Sequence, residues 1–288
     1  MKVAIFGAAG QLGRDLASAL SSHQVVALDQ AEADIRDERA VHSAVRAAHA
    51  AWVVNCAAMT HVDRCESEPL AAFDANALGA RHIARAATAA GARLLQISTD
   101  YVFDGEKPGD YVEDDPPHPI NVYGASKLAG EWAVGAEHAR HLVVRTSGLY
   151  GLHSCVGKGT NFVETMLARG AVGPLRVVSD EVLTPTFAAD LARQVLVLIE
   201  RDAPAGVYHA TNAGACSWFE FTQEIMRLAG IDARLEPIRA AEWKAPARRP
   251  RRSVLENRAL GALGMDVMPD WRDALARYLK ERASRVNG

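Results

Sequence analysis

A glycine-rich segment directly after the first apolar run constrains the fold of this chain more than any other feature. The run from Val3 to Phe6 has the character of a buried strand. Gly7, Gly10 and Gly13 follow it in the spacing GxxGxxG and open an apolar helical stretch. Glycines in such a turn let backbone amides approach a pyrophosphate, and the helix N-terminus adds partial positive charge. The spacing therefore predicts a dinucleotide-binding turn at the carboxyl end of the first strand.

Short apolar runs alternate with helical periodicity through the first half of the chain. The strand-like runs are 3–6, 25–28, 52–54, 94–97 and 141–145. Apolar strands joined by connections of helical length are typical of a parallel sheet that is covered on both faces. We therefore expect an α/β protein with a Rossmann-type doubly wound parallel sheet, whose six strands are complete by residue 150.

The pattern changes after Gly151, where loops and helical stretches dominate. Helices are expected near 161–168, 187–200, 218–228 and 271–282. We expect residues 1–150 to form an NAD(P)-binding Rossmann domain and residues 151–288 a smaller, mostly helical substrate lobe. Segments at about 185–210 are expected to pack back on the sheet. Trp132 and Trp271 are assigned to core packing.

Composition indicates an ordinary globular protein. Of the 288 residues 49% are hydrophobic and 23% charged, with a formal net charge of −3. The chain has no apolar run of the roughly eighteen residues that a membrane helix needs, and it starts without a cleavable signal pattern. We expect a cytoplasmic protein that binds neither nucleic acid nor a membrane. The four cysteines and ten histidines lack metal-ligand spacing, so free thiols and no metal are expected at Cys56, Cys65, Cys155 and Cys216.

Asp29 stands at the end of the second predicted strand, where an acidic side chain can hydrogen-bond the adenosine ribose. Its charge would repel a 2′-phosphate and favours NADH over NADPH. Arg14 and Arg36 could offset that repulsion, so both cofactors stay open. Asp34 and Ile35, just beyond this strand, are placed to contact the adenine edge, although a loop carboxylate is equally often solvated.

Tyr123 and Lys127 have the spacing YxxxK, which puts the phenol and the ammonium one turn apart on one helix face. A nearby cation lowers the pKa of a phenol toward the working range of a proton donor. Ser98 and Thr99 end the fourth predicted strand, where open α/β sheets bind ligands, and a hydroxyl there could hold a substrate carbonyl oxygen. Together these residues indicate carbonyl reduction.

Several longer segments carry a family resemblance. They are Gly7–Gly13, Asn55–Ala58, Ser98–Gly105, Asn121–Glu131 and Arg145–Ser147, with further likeness at Asn161-Phe162, Pro185-Thr186, Arg249-Pro250 and Ser253. In these segments the chain resembles the extended short-chain dehydrogenase/reductases, and in particular the dTDP-4-dehydrorhamnose reductase family. The string STDYVFDG is the most specific of them.

The resemblance implies reduction of the C4 ketone of dTDP-4-dehydro-L-rhamnose to dTDP-L-rhamnose, without a metal. It implies that Tyr123 donates the proton and that Lys127 lowers its pKa and holds the nicotinamide ribose, with Thr99 as the third catalytic residue. The implied cofactor contacts are Gly7, Gly10, Gln11, Leu12, Gly13, Asp29, Asp34, Ile35, Ala57, Ala58, Met59, Thr60, Ser98, Tyr123 and Lys127. The candidate substrate contacts are Thr99, Asp100, Tyr101, Asn161 and Arg249.

Some of these residues have a plain structural alternative. Arg249 or Arg252 could clamp the substrate diphosphate, or their basic loop could simply be solvated. Asn161 could line the nucleotide site or cap a helix. Asn76 matches an asparagine near the family's active site, and helix packing explains it equally well.

One position departs from the family pattern. Members commonly carry Trp after the Arg-Thr-Ser segment, whereas this chain has Gly148. Either Tyr150 or Phe103 replaces this aromatic surface, or the substrate is a related nucleotide sugar.

Three other functions are alternatives for a protein with these residues. A 4,6-dehydratase needs an Asp-Glu pair after the threonine, but Tyr101 follows Asp100 here. An epimerase could use the same threonine, tyrosine and lysine with a retained cofactor. A noncatalytic regulatory subunit that binds a dinucleotide is the alternative from another class. Monomer and homodimer are both open.

Overall fold

Six parallel strands form one central sheet in the computed structural model, which describes residues 1–153 and 159–286. Counting those of three further two-stranded sheets, the strands of the described residues are β1 (Lys2–Phe6), β2 (Gln24–Leu28), β3 (Trp52–Asn55), β4 (Arg93–Thr99), β5 (His141–Thr146), β6 (Leu149–Tyr150), β7 (Leu175–Val178), β8 (Val182–Leu183), β9 (Thr186–Phe187), β10 (Gly206–His209), β11 (Cys216–Ser217) and β12 (Leu235–Ile238). The order in the central sheet is β2-β1-β3-β4-β5-β10. The order in which strands are added to the sheet thus reverses between β1 and β3, and open α/β sheets bind their ligands at such a point.

Helices cover both faces of this sheet. The α-helices of the described residues, on the sheet and outside it, are α1 (Gln11–Ala19), α2 (Glu38–Ala48), α3 (Val62–Ser67), α4 (Pro69–Phe73), α5 (Gly79–Ala90), α6 (Val122–Glu137), α7 (Phe162–Gly170), α8 (Ala188–Glu200), α9 (Trp218–Ala229), α10 (Arg258–Ala262) and α11 (Trp271–Val286). A π-helical segment, Asp74–Leu78, joins α4 to α5. The apolar sides of α1 and α8 pack on one face, and those of α2 and α5 pack on the other. The predicted doubly wound fold is confirmed.

The sixth strand differs from the prediction. Only five of the six strands precede residue 150, and the sixth is β10, which pairs in parallel with β5 from Gly206 opposite Leu142 to His209 opposite Arg145. Its helix α8 reaches the sheet from beyond residue 185 and packs on the same face as α1. The division of the chain at residue 150 stays a prediction.

A separate apolar cluster lies outside the sheet. It joins α7, α9, α11 and β7 around fully buried side chains, among them Phe221, Trp271 and Tyr278. Trp271 is in the core as predicted, but Trp132 is 65% exposed, so its core assignment was wrong. Cys56, Cys65 and Cys216 form no disulfide bond within the described residues. Cys155 lies outside the described residues.

Candidate active site

The glycine turn follows β1 and leads into α1. A Cβ atom added to Gly7 would lie 2.8 Å from the backbone nitrogen of Ala57, and one added to Gly13 would lie 2.2 Å from the carbonyl oxygen of Gly7. Gly7 also has a φ of +75°, a backbone conformation that favours glycine. No side chain caps the N-terminus of α1 at Gly10. The glycines at 7 and 13 therefore let the turn and the start of α1 pack closely against neighbouring backbone. The uncapped N-terminal amides of α1 in this turn fit a pyrophosphate.

Asp29 closes this turn from the end of β2. One of its carboxylate oxygens accepts a 2.7 Å hydrogen bond from the backbone nitrogen of Ala9. Beyond it, the guanidinium of Arg36 binds both oxygens of Asp34, with Nη2 2.5 Å from Oδ2. These hydrogen bonds hold the pKa of Asp34 well below its usual range. Arg36, one of the two arginines considered for a 2′-phosphate, is thus already paired.

One cavity of about 800 Å³ extends from the glycine turn past the carboxyl ends of β3 and β4 to β8 and α9. The predicted site residues that line it are Gly7, Gly10, Gln11, Leu12, Gly13, Asp29, Asp34, Ile35, Ala57, Ala58, Met59, Thr60, Ser98, Thr99, Asp100, Tyr101, Tyr123, Lys127 and Asn161. The fold thus brings together residues that are far apart in the sequence. Arg249 is the predicted site residue that does not line this cavity.

Tyr123 and Thr99 meet in the middle of the cavity. Tyr123 lies in the first turn of α6, which Asn121 caps by accepting a 2.7 Å hydrogen bond from the backbone nitrogen of Gly124. The Thr99 hydroxyl lies beside the phenol, and its interaction with the phenol lowers the pKa of Tyr123 and favours the tyrosinate. Desolvation is the larger effect and raises the pKa of Tyr123. Without a ligand, the phenol is therefore a weak acid that holds its proton.

Lys127 is buried one turn further along α6, with 5% of its surface exposed. Its ammonium donates a 2.7 Å hydrogen bond to the carbonyl oxygen of Ile97. Burial lowers the pKa of Lys127 to about 8, against the opposing charge of Glu131. The interaction with Thr99 lowers the pKa of Tyr123 in this structure. The role of Lys127 in lowering the pKa of Tyr123 stays a prediction.

The two hydroxyls that end β4 have different partners. Ser98 donates a 2.5 Å hydrogen bond to the carboxylate of Glu131. Thr99 is the hydroxyl beside the phenol, so Thr99 is the better placed of the two to hold a substrate carbonyl oxygen. The next residue, Asp100, accepts hydrogen bonds from the hydroxyls of Ser147 at 2.8 Å and Thr99 at 3.1 Å. Burial raises the pKa of Asp100 to about 6, and these hydrogen bonds oppose that rise.

Asn76 fixes the loop after β3 against α6. Its side-chain oxygen accepts a 2.8 Å hydrogen bond from the backbone nitrogen of Met59, and its side-chain nitrogen donates to the carbonyl of Met59 and, at 2.9 Å, to the Ser126 hydroxyl. Asn76 is therefore a packing and positioning residue behind the cavity wall, since it does not itself line the cavity.

The surface near Gly148 is not covered in the way that the sequence suggests. Tyr150 and Phe103 are fully buried elsewhere, Tyr150 against Phe187 and Phe103 against Tyr111, so neither replaces an aromatic wall. Gly148 itself lines the cavity with a φ of +53°.

Aromatic side chains line the cavity from other elements. Phe162 and Trp218 contact each other with ring centroids 4.4 Å apart, and Tyr101 packs edge-on against Tyr123 at 5.8 Å. Trp218 was missed because its position at the start of an amphipathic helix is also typical of a core residue.

Asn161 and Glu181 belong to the far part of the cavity. Asn161 caps α7 by accepting a 3.0 Å hydrogen bond from the backbone nitrogen of Glu164, and it donates to the carbonyl of Gly151. It thus acts as a cap and lines the cavity as well. Glu181 is 9% exposed, and burial raises its pKa. Glu181 is not predictable from the sequence, because an isolated acidic residue in a loop is usually solvated.

Arg249 is engaged outside the cavity. Its guanidinium binds both carboxylate oxygens of Asp63, with distances of 3.1 and 3.2 Å from Nη2. Arg252 is paired with Asp110 at 2.5 Å. A role of either arginine on a diphosphate would require it to leave its carboxylate partner, and the assignment stays a prediction.

Within residues 1–153 and 159–286, no group of three or more His, Cys, Asp or Glu side chains is arranged to hold a metal ion. In the same part of the chain, no helix has the length and apolarity needed to cross a membrane.

A doubly wound sheet with a glycine turn at its reversal point, Thr99 at the end of β4, and Tyr123 and Lys127 on α6 beside it define an oxidoreductase of the short-chain dehydrogenase/reductase type. The comparison with family models is more specific: residues 1–284 match the model described as the RmlD substrate binding domain. The chain belongs to this family, the dTDP-4-dehydrorhamnose reductase family.

Individual relatives match over almost their full length. The dTDP-4-dehydrorhamnose reductase of Streptomyces griseus is 44% identical, and the alignment covers 98% of this chain and 94% of that protein. The crystal structure of dTDP-4-dehydrorhamnose reductase from Bacillus anthracis in complex with NADP is 39% identical, with a TM-score of 0.93 and coverage of 97% and 99%. A Streptomyces antibioticus protein named "Probable dTDP-4,6-dihydroxy-2-methyloxan-3-one 4-ketoreductase" is 38% identical over 96% of this chain and 93% of its own length.

Proposed function

We propose that this enzyme reduces the C4 ketone of dTDP-4-dehydro-L-rhamnose to dTDP-L-rhamnose. The observation that carries the proposal is the single cavity that begins at the glycine turn and reaches Thr99, Tyr123 and Lys127. A dinucleotide and a ketone can therefore bind side by side. The named activity of relatives about 40% identical over nearly their full length supports the choice of substrate.

Tyr123 donates the proton in this proposal. Its phenol and the Thr99 hydroxyl lie close enough to interact, so a ketone oxygen that binds between them would be held by both groups. When bound, the reduced nicotinamide supplies the hydride. Negative charge then develops on the ketone oxygen, and the Tyr123 proton neutralises it. The high pKa of the unliganded phenol keeps the proton in place until that charge appears.

Lys127 would hold the nicotinamide ribose with its ammonium and stabilise the tyrosinate that remains after proton transfer. The ammonium is already positioned by the carbonyl oxygen of Ile97. A lysine needs its charge for both roles, and burial brings its pKa down to about 8. Its charge state is thus sensitive to the groups around it.

NADH is the proposed preferred cofactor. The Asp29 carboxylate lines the part of the cavity next to the glycine turn, where it would bind ribose hydroxyls and repel a 2′-phosphate. Arg36 is paired with Asp34, which reduces its capacity to compensate. The Bacillus anthracis relative is described with NADP, so NADPH is the alternative that the assay must include.

Reduction of another 4-keto nucleotide sugar is the second candidate. Gly148 and the buried positions of Tyr150 and Phe103 leave this part of the cavity without the expected aromatic surface. The Streptomyces antibioticus relative carries the name of a ketoreductase for a different dTDP-linked sugar.

The test is consumption of NADH or NADPH on addition of dTDP-4-dehydro-L-rhamnose generated in the assay. We expect the absorbance of the reduced cofactor to fall and the sugar product to be heavier by two hydrogens. Dinucleotide binding without consumption would contradict the proposal and favour another 4-keto sugar or a regulatory subunit. A copurified, tightly bound NAD with no net consumption would instead indicate an epimerase.

A further inference from the structure

Glu131 and Arg145 form a buried polar network with Ser98, next to Lys127. Glu131 lies one turn after Lys127 on α6 and accepts the 2.5 Å hydrogen bond from Ser98. Arg145 of β5 binds both oxygens of the Glu131 carboxylate, from Nε at 3.0 Å and from Nη2 at 2.7 Å. Each of these three residues is no more than 6% exposed. The Glu131 carboxylate is therefore held in one place, by one hydroxyl and one guanidinium.

Lys127 has few other charges near it. The charge of Glu131 acts on its ammonium and opposes the effect of burial. The nearby Cys56 thiol is neutral where Lys127 titrates, because burial raises the pKa of Cys56 to about 12. Of the carboxylates on neighbouring elements, Asp100 accepts hydrogen bonds from Ser147 and Thr99, and Glu66 of α3 accepts one from the backbone nitrogen of Val122.

Other titratable groups around α6 act elsewhere. Cys65 of α3 acts on Tyr123, as does Asp100. Arg145 faces the Glu131 carboxylate, and Glu137, at the end of α6, pairs with Arg81 of α5. Glu131 is thus the carboxylate that is positioned to balance the lysine.

We propose that Glu131 is a positioning residue for the reduction, whose carboxylate keeps the buried Lys127 ammonium charged while Ser98 and Arg145 fix that carboxylate in place. This inference rests on the role of Lys127 in the proposed function. If the Glu131–Arg145 ion pair served only to join α6 to β5, removal of the Glu131 charge would leave the pKa of Lys127 unchanged. The i to i+4 spacing of Lys127 and Glu131 puts the two charges on one face of the helix.

The ion pair also has a side that faces away from the active site. Glu131 and Arg145 line a second cavity of about 450 Å³, beside Trp132 and the loop 113–117. A guanidinium that loses its carboxylate partner can therefore still be hydrated from this side. We expect the Glu131→Gln variant to fold, because glutamine keeps the shape of the side chain and its hydrogen bond with Ser98.

The direct test is the titration of Lys127 by NMR in protein labelled with ¹³C-lysine. The chain has six lysines, so the signals are few, and loss of one signal in Lys127→Met assigns it. We expect Glu131→Gln to lower the Lys127 pKa by about one to two pH units, the effect of removing one nearby buried charge. An unchanged Lys127 pKa would overturn the inference. This readout needs no turnover, so it stands apart from a failure of the proposed function.

The second measurement is the pH profile of kcat with the cofactor that wild type uses. Loss of activity toward high pH should begin at a lower pH in Glu131→Gln, because Lys127 loses its proton earlier. Glu137→Gln is the matched control on the same helix and should leave the profile unchanged. A high-pH limb that does not move in Glu131→Gln would contradict the proposal.

Glu131→Asp separates charge from shape. It keeps the carboxylate and moves it away by one methylene, so the high-pH limb should shift less than in the glutamine variant. Should Glu131→Gln fail to fold, a small downward shift in Glu131→Asp still supports the inference, and no shift overturns it. Equal shifts in the two variants would also contradict it, because the effect would then not follow the charge.

Discussion

The ammonium of Lys127 and the carbonyl oxygen of Ile97 are joined by a 2.7 Å hydrogen bond inside the protein. A strand carbonyl thus positions the lysine before any ligand is present. Such a carbonyl supplies only a partial charge, so it compensates incompletely for the water that the ammonium has lost. The lowered pKa of Lys127, about 8, reflects this incomplete compensation for the lost hydration. This residue therefore costs the fold stability.

Lys127→Met should stabilise the protein and abolish turnover. Burial lowers the pKa of Lys127 from 10.5 to about 8, so the folded protein binds this proton more weakly than the unfolded chain does. This weaker proton binding lowers the free energy of unfolding by roughly 3 kcal/mol below pH 8, and the loss vanishes as the pH rises to about 10.5. After loss of the hydrogen bond to Ile97, about 1–2 kcal/mol of gain should remain. Denaturant unfolding of Lys127→Met and wild type at pH 7 and at pH 10 measures this gain in unfolding free energy.

The pH dependence distinguishes this explanation from simple packing. The difference in unfolding free energy between Lys127→Met and wild type should shrink between pH 8 and pH 10.5. A constant difference across that range would show that methionine merely packs better, and a less stable variant at pH 7 would contradict the account.

Tyr123→Phe should retain the fold and dinucleotide binding but lose most turnover. A general acid contributes roughly a hundredfold to ten-thousandfold to such a step, and phenylalanine has no proton to give. Tyr208→Phe is the matched control, because this buried tyrosine on β10 donates its hydrogen bond to Pro204, remote from the cavity. Single-turnover rates for the two variants provide the comparison, and full activity of Tyr123→Phe would refute the assignment.

Gly130→Ala and Gly135→Ala, both on α6, should have opposite effects on stability. A Cβ atom at Gly130 would lie 2.2 Å from the carbonyl oxygen of Asn76, so α6 would have to move away from the π-helical segment. At Gly135 the nearest atom, in His141, is 3.7 Å away. Alanine there should stabilise the helix by about 0.5–1 kcal/mol. Thermal unfolding of both variants tests this, and equal effects would contradict the close packing.

Asp29→Asn should move the cofactor preference toward NADPH. Asparagine can still accept the hydrogen bond from the backbone nitrogen of Ala9, so the turn keeps its support while the charge is removed. We expect the ratio of kcat/KM for NADPH over NADH to rise about tenfold, equivalent to roughly 1.4 kcal/mol of repulsion. The exposed Asp232→Asn, which lies outside the cavity, is the control. An unchanged ratio would mean that Asp29 does not face the 2′ position.

The cofactor half of the site was predictable because its signals are local. The glycine turn, the strand-end hydroxyls and the YxxxK pair each occupy a few consecutive positions, and the carboxyl ends of parallel strands must meet at one edge. A parallel sheet therefore assembles these residues once the order of strands is known. The expectation that six strands are complete by residue 150 was wrong, because β10 returns to the sheet only after α7 and α8 and strand periodicity carries no information on neighbours. β10 lies within the segments at about 185–210 that the sequence expects to pack back on the sheet.

Helix α6 explains the wrong prediction for Trp132. The buried side of this helix carries Ser126, Lys127 and Glu131, whereas Trp132 faces outward. Hydrophobic periodicity assigns apolar residues to the core, but here polar residues occupy these buried positions instead. Tyr150 and Phe103 are the opposite case, because these two candidates for an aromatic surface near Gly148 pack into separate apolar clusters.

The most direct test of the central claim follows the transferred hydrogen. The enzyme is incubated with dTDP-4-dehydro-L-rhamnose and a reduced nicotinamide cofactor that carries deuterium at both hydrogen positions of C4, and the product is examined by NMR and mass spectrometry. The account predicts one deuterium at C4 of the product sugar, and no such product with Tyr123→Phe on the same time scale. Turnover that leaves C4 of the sugar without deuterium, or an equally active Tyr123→Phe, would contradict it.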